Sequence, residues 1–519
     1  MISNLKSHRP EGYLEGELQA LGKIANSLFR VLSTAQKSFA HKTLRLSKPQ
    51  LGELSAVMVE FAEDILNKIG IWESLEKYNQ NFFGTPLPFC LAAGQETPDV
   101  PINKSRIHYL LWNKYSELCD GLILSPSHKD LSFLVEEIVQ FFDDHIIAGL
   151  PNNSSIKAFM NRPNQHGWDI KKKLLWLGQH SYLFRHSFDI YVRENGGKPE
   201  IPVIDDFVCQ NASKWSGLGV LDILAEISDL SKSQRGELQS WAQRHFAYFR
   251  TESIKGPMVV ARNIICDKEY SIRVGDESKL FKVGHTYLGS LVPWNGEWYW
   301  SGQQTGFGEL PQDYLEELRK DFLQKSPQIA YRYCDSLLEK AKKGIKTHYR
   351  NFVKFHGDDF VVFQDGYAMA AAVQKQHRLE FEAQPKEILE EVMKRRNLKN
   401  PWPNYSYPPE LLDSDNGIGL FFNQDEGQEI MQEFNDVVRG FKKKGDNLRE
   451  EEIESIRGFI ESSSISPEFV EKLAKKYGAE SIAKAFLLRN VDGIDYLKYI
   501  LRQYKGHHFR KRYPNISFN

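Results

Sequence analysis

The stretch Leu291-Val292-Pro293-Trp294-Asn295-Gly296-Glu297-Trp298-Tyr299-Trp300 decides the fold class. Asn-Gly favours the two positive backbone angles of a tight hairpin turn, and apolar and aromatic residues flank it on both sides. Upstream, Tyr270, Ile272 and Val274 alternate with polar residues in the two-residue period of a strand. A small antiparallel sheet or barrel-like module is therefore expected over 257–310. In that period Trp298 and Trp300 share one face while Tyr299 points to the other. One face must be core, and Trp294, Trp298 and Trp300 are candidates for a partner-binding surface if the other is uncovered.

Outward from this module the pattern is helical. Leu51, Leu54, Met58, Phe61 and Ile65 step by three and four, and so do Leu131, Leu134, Val135, Ile138 and Phe142. An N-terminal helical domain is expected over 1–150 and a second helix-rich segment over 151–256, where Trp176, Trp215 and Trp241 read as core. Beyond the β module, 311–398 reads as mixed, with a strand at Phe360-Val361-Val362-Phe363. Pro401, Pro403, Pro408 and Pro409 mark a linker over 399–410. A C-terminal helical domain with a basic tail follows over 411–519. There Ile430, Phe434, Val437 and Phe441 form one helical stripe, and Ser466-Pro467 caps a later helix ahead of Phe469 and Leu473. The fold class is α+β: a mainly helical multi-domain protein with a small central β module.

The length of 519 residues exceeds one ordinary core and gives roughly three or four units. Apolar residues at 41% and charged residues at 26% exclude wholesale disorder. The net charge of −1 excludes a surface built throughout for nucleic acid, which needs a cationic field, but leaves room for a local patch. No apolar stretch follows the first charges, and the greasiest region, 131–150, is broken by Glu136, Glu137, Asp143 and Asp144. A cytoplasmic protein with no membrane span is the expectation. Cys90, Cys119, Cys209, Cys266 and Cys334 are odd in number and scattered, so free thiols are expected rather than a disulfide framework or a zinc site.

Motifs for chemistry fail one by one. Gly217-Leu218-Gly219 and Gly417-Ile418-Gly419 lack the rest of a phosphate loop, and Lys214 stands where a serine-hydrolase elbow wants glycine. His180 and His186, six apart, turn away from each other on a helix. No cofactor is implied. Asp358 and Asp359 before a strand, with Asp365 after it, have a nuclease-like layout for a metal, but the lysine that should assist is missing from the expected place. The run from Arg502 to Tyr513 carries five permanent cations and no acid. Lys505, Arg510, Lys511 and Arg512 could neutralise phosphate while Phe509 and Tyr513 stack on unpaired bases. The plainer reading of that run is a solvated helix end docked by its aromatics.

Phe61-Ala62-Glu63-Asp64-Ile65, Gly70-Ile71-Trp72, Leu87-Pro88-Phe89, Ile107-His108-Tyr109-Leu110-Leu111-Trp112, Phe421-Phe422-Asn423 with Gly427 and Glu429, Tyr504-Lys505-Gly506 and Arg512-Tyr513-Pro514 carry a resemblance. Together they resemble a bacterial family known only as a domain of unknown function, over nearly the whole chain. The 289–302 segment is also similar to a small β module of uncharacterised bacterial proteins. The resemblance implies a bacterial origin and a shared fold, with no activity attached. The function expected from the residues is that of a non-enzymatic regulatory or interaction protein. Its partners would be single-stranded nucleic acid, met by the basic tail, or another protein; a metal-dependent hydrolase or nuclease is the alternative.

Overall fold

The hairpin forms where Asn-Gly places it. In the computed structural model, which describes residues 2–119, 124–145, 154–212, 215–396, 406–488 and 491–516, β4 (His285–Trp294) and β5 (Glu297–Glu309) are antiparallel, with Trp294 opposite Glu297. Asn295 and Gly296 take φ of 51° and 78°, the positive pair that a two-residue turn of this hand requires. Tyr270 and Ile272 lie in β3 (Glu269–Arg273) and are buried, as their alternation predicts.

Two further strands complete this sheet. β1 (His245–Lys255) begins inside the segment expected to be helix-rich, because its run Phe246-Ala247-Tyr248-Phe249 is apolar without a decisive period. β2 is Met258–Asn263. β1 pairs antiparallel with both β2 and β4, and β2 with β3. The circuit closes between β3 and β5 at a single parallel pair, Ile272 opposite Trp298. The result is a curled, barrel-like mixed sheet rather than a purely antiparallel one. Helices Gly167–His180, Ile201–Gln210 and Lys232–Ser240 pack on β4 and β5. Asp205 fixes one of them by accepting the Ser301 hydroxyl at 2.8 Å while pairing with Lys171 and Arg244.

Compactness divides the chain into two units, Met1–Phe322 with Leu487–Val491, and Leu323–Phe486 with Asp492–Asn519. In the first, the stripes expected on Lys48–Asn67 and Lys129–His145 are buried, apart from half-buried Ile65. Their core includes Trp72, whose ring lies edge-on to Phe61 at 4.7 Å and to Trp215 at 6.4 Å.

The second unit has its own sheet, ordered β6 (Phe360–Phe363), β7 (Ile418–Asn423) and β8 (Gly427–Met431), all antiparallel. Ile418, Leu420 and Phe422 face one core with Ile345, Phe352, Met369 and Val373. Phe421 faces the other, stacked on Phe469 at 4.8 Å. Ile430 thus belongs to a strand and not to the helical stripe expected of it. Phe434, Val437 and Phe441 do share a helix, Phe434–Lys442, and are all buried. Ser466 caps Pro467–Tyr477 through the Phe469 amide, with Phe469 and Leu473 buried, as expected. Most of the linker expected over 399–410 lies outside the described residues.

The chain is 59% helical and 12% strand, a mainly helical α+β protein. Among the described residues no helix is long and apolar enough to cross a membrane. Cys90, Cys119 and Cys209 are thiols outside any disulfide. Cys266 and Cys334 are each disulfide-bonded, against the expectation of free thiols, because spacing along a chain does not reveal a cysteine's oxidation state.

Candidate functional site

The outer surface of β1, β2 and β3 is the part of the barrel-like sheet that carries charge to solvent. Alternation turns Val259, Ala261, Tyr270 and Ile272 inward, where all are buried. The same alternation turns Val260, Arg262, Glu269, Ser271 and Arg273 outward; Glu269 and Ser271 are exposed and the others half-buried. Register sets Arg250 opposite Arg262, and Arg262 opposite Glu269. Arg262 is neutralised by Glu252 and Glu269 at 2.5 and 3.3 Å, and Arg273 by Glu297 at 2.5 Å. Arg250, Lys255 and Lys268 make no ion pair among the described residues. Lys268 lies over the rings of Tyr270 and Trp298, at 5.3 and 5.7 Å, beside the β3–β5 seam. Of the arginines on this face, the two-residue alternation of 258–263 points to Arg262 and that of 269–273 to Arg273, whereas Arg250 follows an apolar run with no decisive period and carries no such signal.

The three tryptophans expected as an exposed surface are mostly sheet interior. Trp294 is fully buried and donates its Nε1 hydrogen to the Asn164 carbonyl at 3.0 Å. Trp300 is half-buried, stacked on Phe281 and edge-on to Phe249. Trp298 is half-buried at the seam, 4.7 Å from Tyr270. Tyr299 does point the other way, against Trp168 at 5.4 Å.

The basic tail does not form one cationic face. Lys505 is fully buried and donates to the carbonyls of Phe459 and Ser462. Burial lowers its ammonium to about pKa 7, partly opposed by Glu429. Arg512 is held by Glu468 at 2.6 Å and Asp425 at 3.3 Å. Tyr513 is buried against Tyr331, Leu338 and Ala341. Phe509 and Lys511 are exposed and Arg510 half-exposed, with the Arg502 guanidinium 4.3 Å above the Phe509 ring. The helix end is thus docked by part of its aromatic and cationic set, leaving a smaller patch.

Asp358 and Asp359 share one ion pair with Lys472, at 2.6 Å for Asp358. Asp365 instead accepts the Ala368 amide at 2.7 Å as a helix cap. The lysine absent from the expected place in the sequence therefore comes from helix Pro467–Tyr477, where it balances the acids. The three aspartates form no metal-sized cluster among the described residues. Ser216 is buried and its hydroxyl meets the Tyr109 hydroxyl at 3.1 Å, with no histidine base hydrogen-bonded to it among the described residues. His186 Nε2 lies 2.7 Å from the Glu117 carbonyl oxygen.

The most charged interior belongs to the first unit. Arg9 bonds Glu17 at 3.0 Å and Glu63 at 2.8 Å, and Arg185 bonds Glu53 at 2.6 Å and Glu60 at 2.5 Å. Burial alone would raise the Glu60 carboxyl, but Arg185, His8 and Arg9 outweigh it and hold it at about 2. Asp64 accepts the amides of Gly70, Ile71 and Trp72 and the Tyr182 hydroxyl, capping helix Ile71–Phe83. Beside these groups His8, His180, Tyr182 and Trp176 line a cavity of about 10 Å³. That is room for about one water, where a small-molecule site needs roughly 300 Å³ or more. This network is structural.

Residues 23–198 match the family described as a protein of unknown function (DUF3843). The match covers about a third of the chain, not nearly the whole; the motifs at 421–429 and 504–514 lie beyond it. No curated protein and no solved structure matches the chain.

Proposed function

We propose that this is a non-enzymatic binding protein of the cytoplasm that holds single-stranded nucleic acid along the outer face of β1, β2 and β3. The observation that carries the reading is the strand circuit β1-β2-β3-β5-β4 with β3 and β5 parallel. That is the order of OB-type barrels, which bind oligonucleotides on the face of their second and third strands. Fold analogy alone assigns no function, so the cations on that face supply the chemical argument. Arg250, Lys255 and Lys268 lie on or beside it and make no ion pair among the described residues, and half-buried Trp298 offers a ring at the seam. Phosphate would meet the cations and release counterions, and a base would stack at the seam.

The test is fluorescence anisotropy of a labelled oligo(dT) of roughly 15 nucleotides against the full chain, at rising salt. Binding should weaken steeply with salt. Replacing Arg250, Lys255 and Lys268 together by Gln should reduce the slope of log K against log salt by about 2, since each single-strand phosphate contact contributes roughly 0.7. Arg262 and Arg273 are left intact because their ion pairs join the strands. No binding at about 50 mM salt would overturn the proposal. So would a slope that changes only when Arg502, Arg510 and Lys511 are replaced, which would move the contact to the tail.

A further inference from the structure

Asp130, in the first turn of helix Lys129–His145, is buried and reaches back across the chain to residues about ninety positions earlier. Its Oδ1 accepts the Ala40 amide and its Oδ2 the His41 amide, each at 3.1 Å, and Oδ2 lies 3.1 Å from His41 Nδ1. His128, just before the helix, sets its ring 5.0 Å from that of His41 at 65°. One ligand atom from each of His41, His128 and Asp130 therefore lies within 4.8 Å of the others, and no other such trio of His, Cys, Asp or Glu occurs among the described residues.

We infer that His41, His128 and Asp130 form a binding site for a divalent transition-metal ion of the zinc class. Two imidazole nitrogens and one carboxylate oxygen are the donors that zinc, cobalt and nickel take, whereas magnesium and calcium prefer oxygen throughout. Three protein ligands leave a fourth position for water, and the His41 side chain, 62% exposed, puts the site within reach of solvent. Ligand atoms about 2.1 Å from a tetrahedral ion sit roughly 3.4 Å apart, so the trio must contract by about an ångström. The exposed ring of His41 can supply that movement. Asp130 is already aimed by two backbone amides, the supporting contacts that fix a ligand carboxylate. His128 Nδ1 accepts the Asp130 amide at 3.2 Å, so this ring gives up that bond or turns when it ligates. In the absence of an ion the same groups make a histidine–aspartate contact that pins the loop around residue 40 to the helix.

The site is tested on untagged full-length protein, stripped with chelator and titrated with Zn²⁺ by calorimetry and with Co²⁺ by visible absorption. One saturable site per chain is expected, with the spectrum of nitrogen- and oxygen-ligated cobalt. His41→Gln and His128→Gln should each weaken Zn²⁺ binding by at least about tenfold while the metal-free variants still unfold in one cooperative transition. His41→Gln is the safer variant, because its ring is exposed. No saturable heat, equal affinity in the parent and both variants, or a thiolate-to-cobalt band pointing to a cysteine would each overturn the assignment.

Discussion

Arg185→Met tests the charged interior of the first unit. The guanidinium joins helix Arg185–Glu194 to helix Lys48–Asn67 by donating to Glu53 and Glu60, and the side chains of Arg185 and Glu60 are 6% and 4% exposed. Methionine keeps much of the packing volume and removes the charge, leaving Glu60 buried with His8 at 3.0 Å and the field of Arg9 as its remaining positive neighbours. Breaking a buried pair from one side costs about 3–5 kcal/mol, chiefly the desolvation of the abandoned ion. The shift of Glu60 from its ordinary 4.5 to about 2, set against burial by Arg185, His8 and Arg9 together, corresponds to about 3 kcal/mol. Its folded value is depressed, so this stability is complete above about pH 4.5 and is lost as pH falls toward 2. Denaturant unfolding is the assay, followed by tryptophan fluorescence, because of the ten tryptophans only Trp402 lies outside the first unit. Arg185→Met should lower the stability of that unit at pH 7 by about 3–5 kcal/mol, and adding Glu60→Gln should restore more than half of the loss. A single variant within about 1 kcal/mol of the parent, or a double variant less stable than the single, would refute the account.

Other expectations follow from single contacts. At Gly289 a Cβ would lie 2.8 Å from the Trp300 ring, so Gly289→Ala should destabilise the first unit by about 1–3 kcal/mol; an unchanged denaturation midpoint would show that the ring can move aside. Lys505 has its folded value lowered by burial from 10.5 to about 7, so the unfolded chain binds more protons between those values. Stability of the second unit should rise with pH from 7 to 9 by about 1–2 kcal/mol in urea titrations, and Lys505→Met should flatten that rise. A parent as flat as the variant would mean that the ammonium stays charged where it is.

Legibility followed the range of the interaction. Helices Lys48–Asn67 and Lys129–His145 could be read because three-and-four spacing of apolar residues is itself the condition for one buried face. The Asn295-Gly296 hairpin could be read because positive φ at two adjacent residues is a local steric matter. Strand β7 could not, since Ile418-Gly419-Leu420-Phe421-Phe422 is apolar on both faces and has no alternation to read. Trp294 and Trp300 look alike in sequence to any surface tryptophan, and only the curvature of the sheet puts them inside.

By itself, then, the sequence determined the helical stripes, the capped helix after Ser466, the central turn and the mainly helical α+β class, all of which depend on neighbours within a few residues. The tertiary structure alone decided the rest. It set β3 beside β5, sank Lys505 among carbonyls while leaving Lys511 in water, and brought His41 to Asp130 across 89 positions of chain. Those outcomes depend on which apolar faces bury one another, and burial is a property of the whole packed chain rather than of any stretch of it.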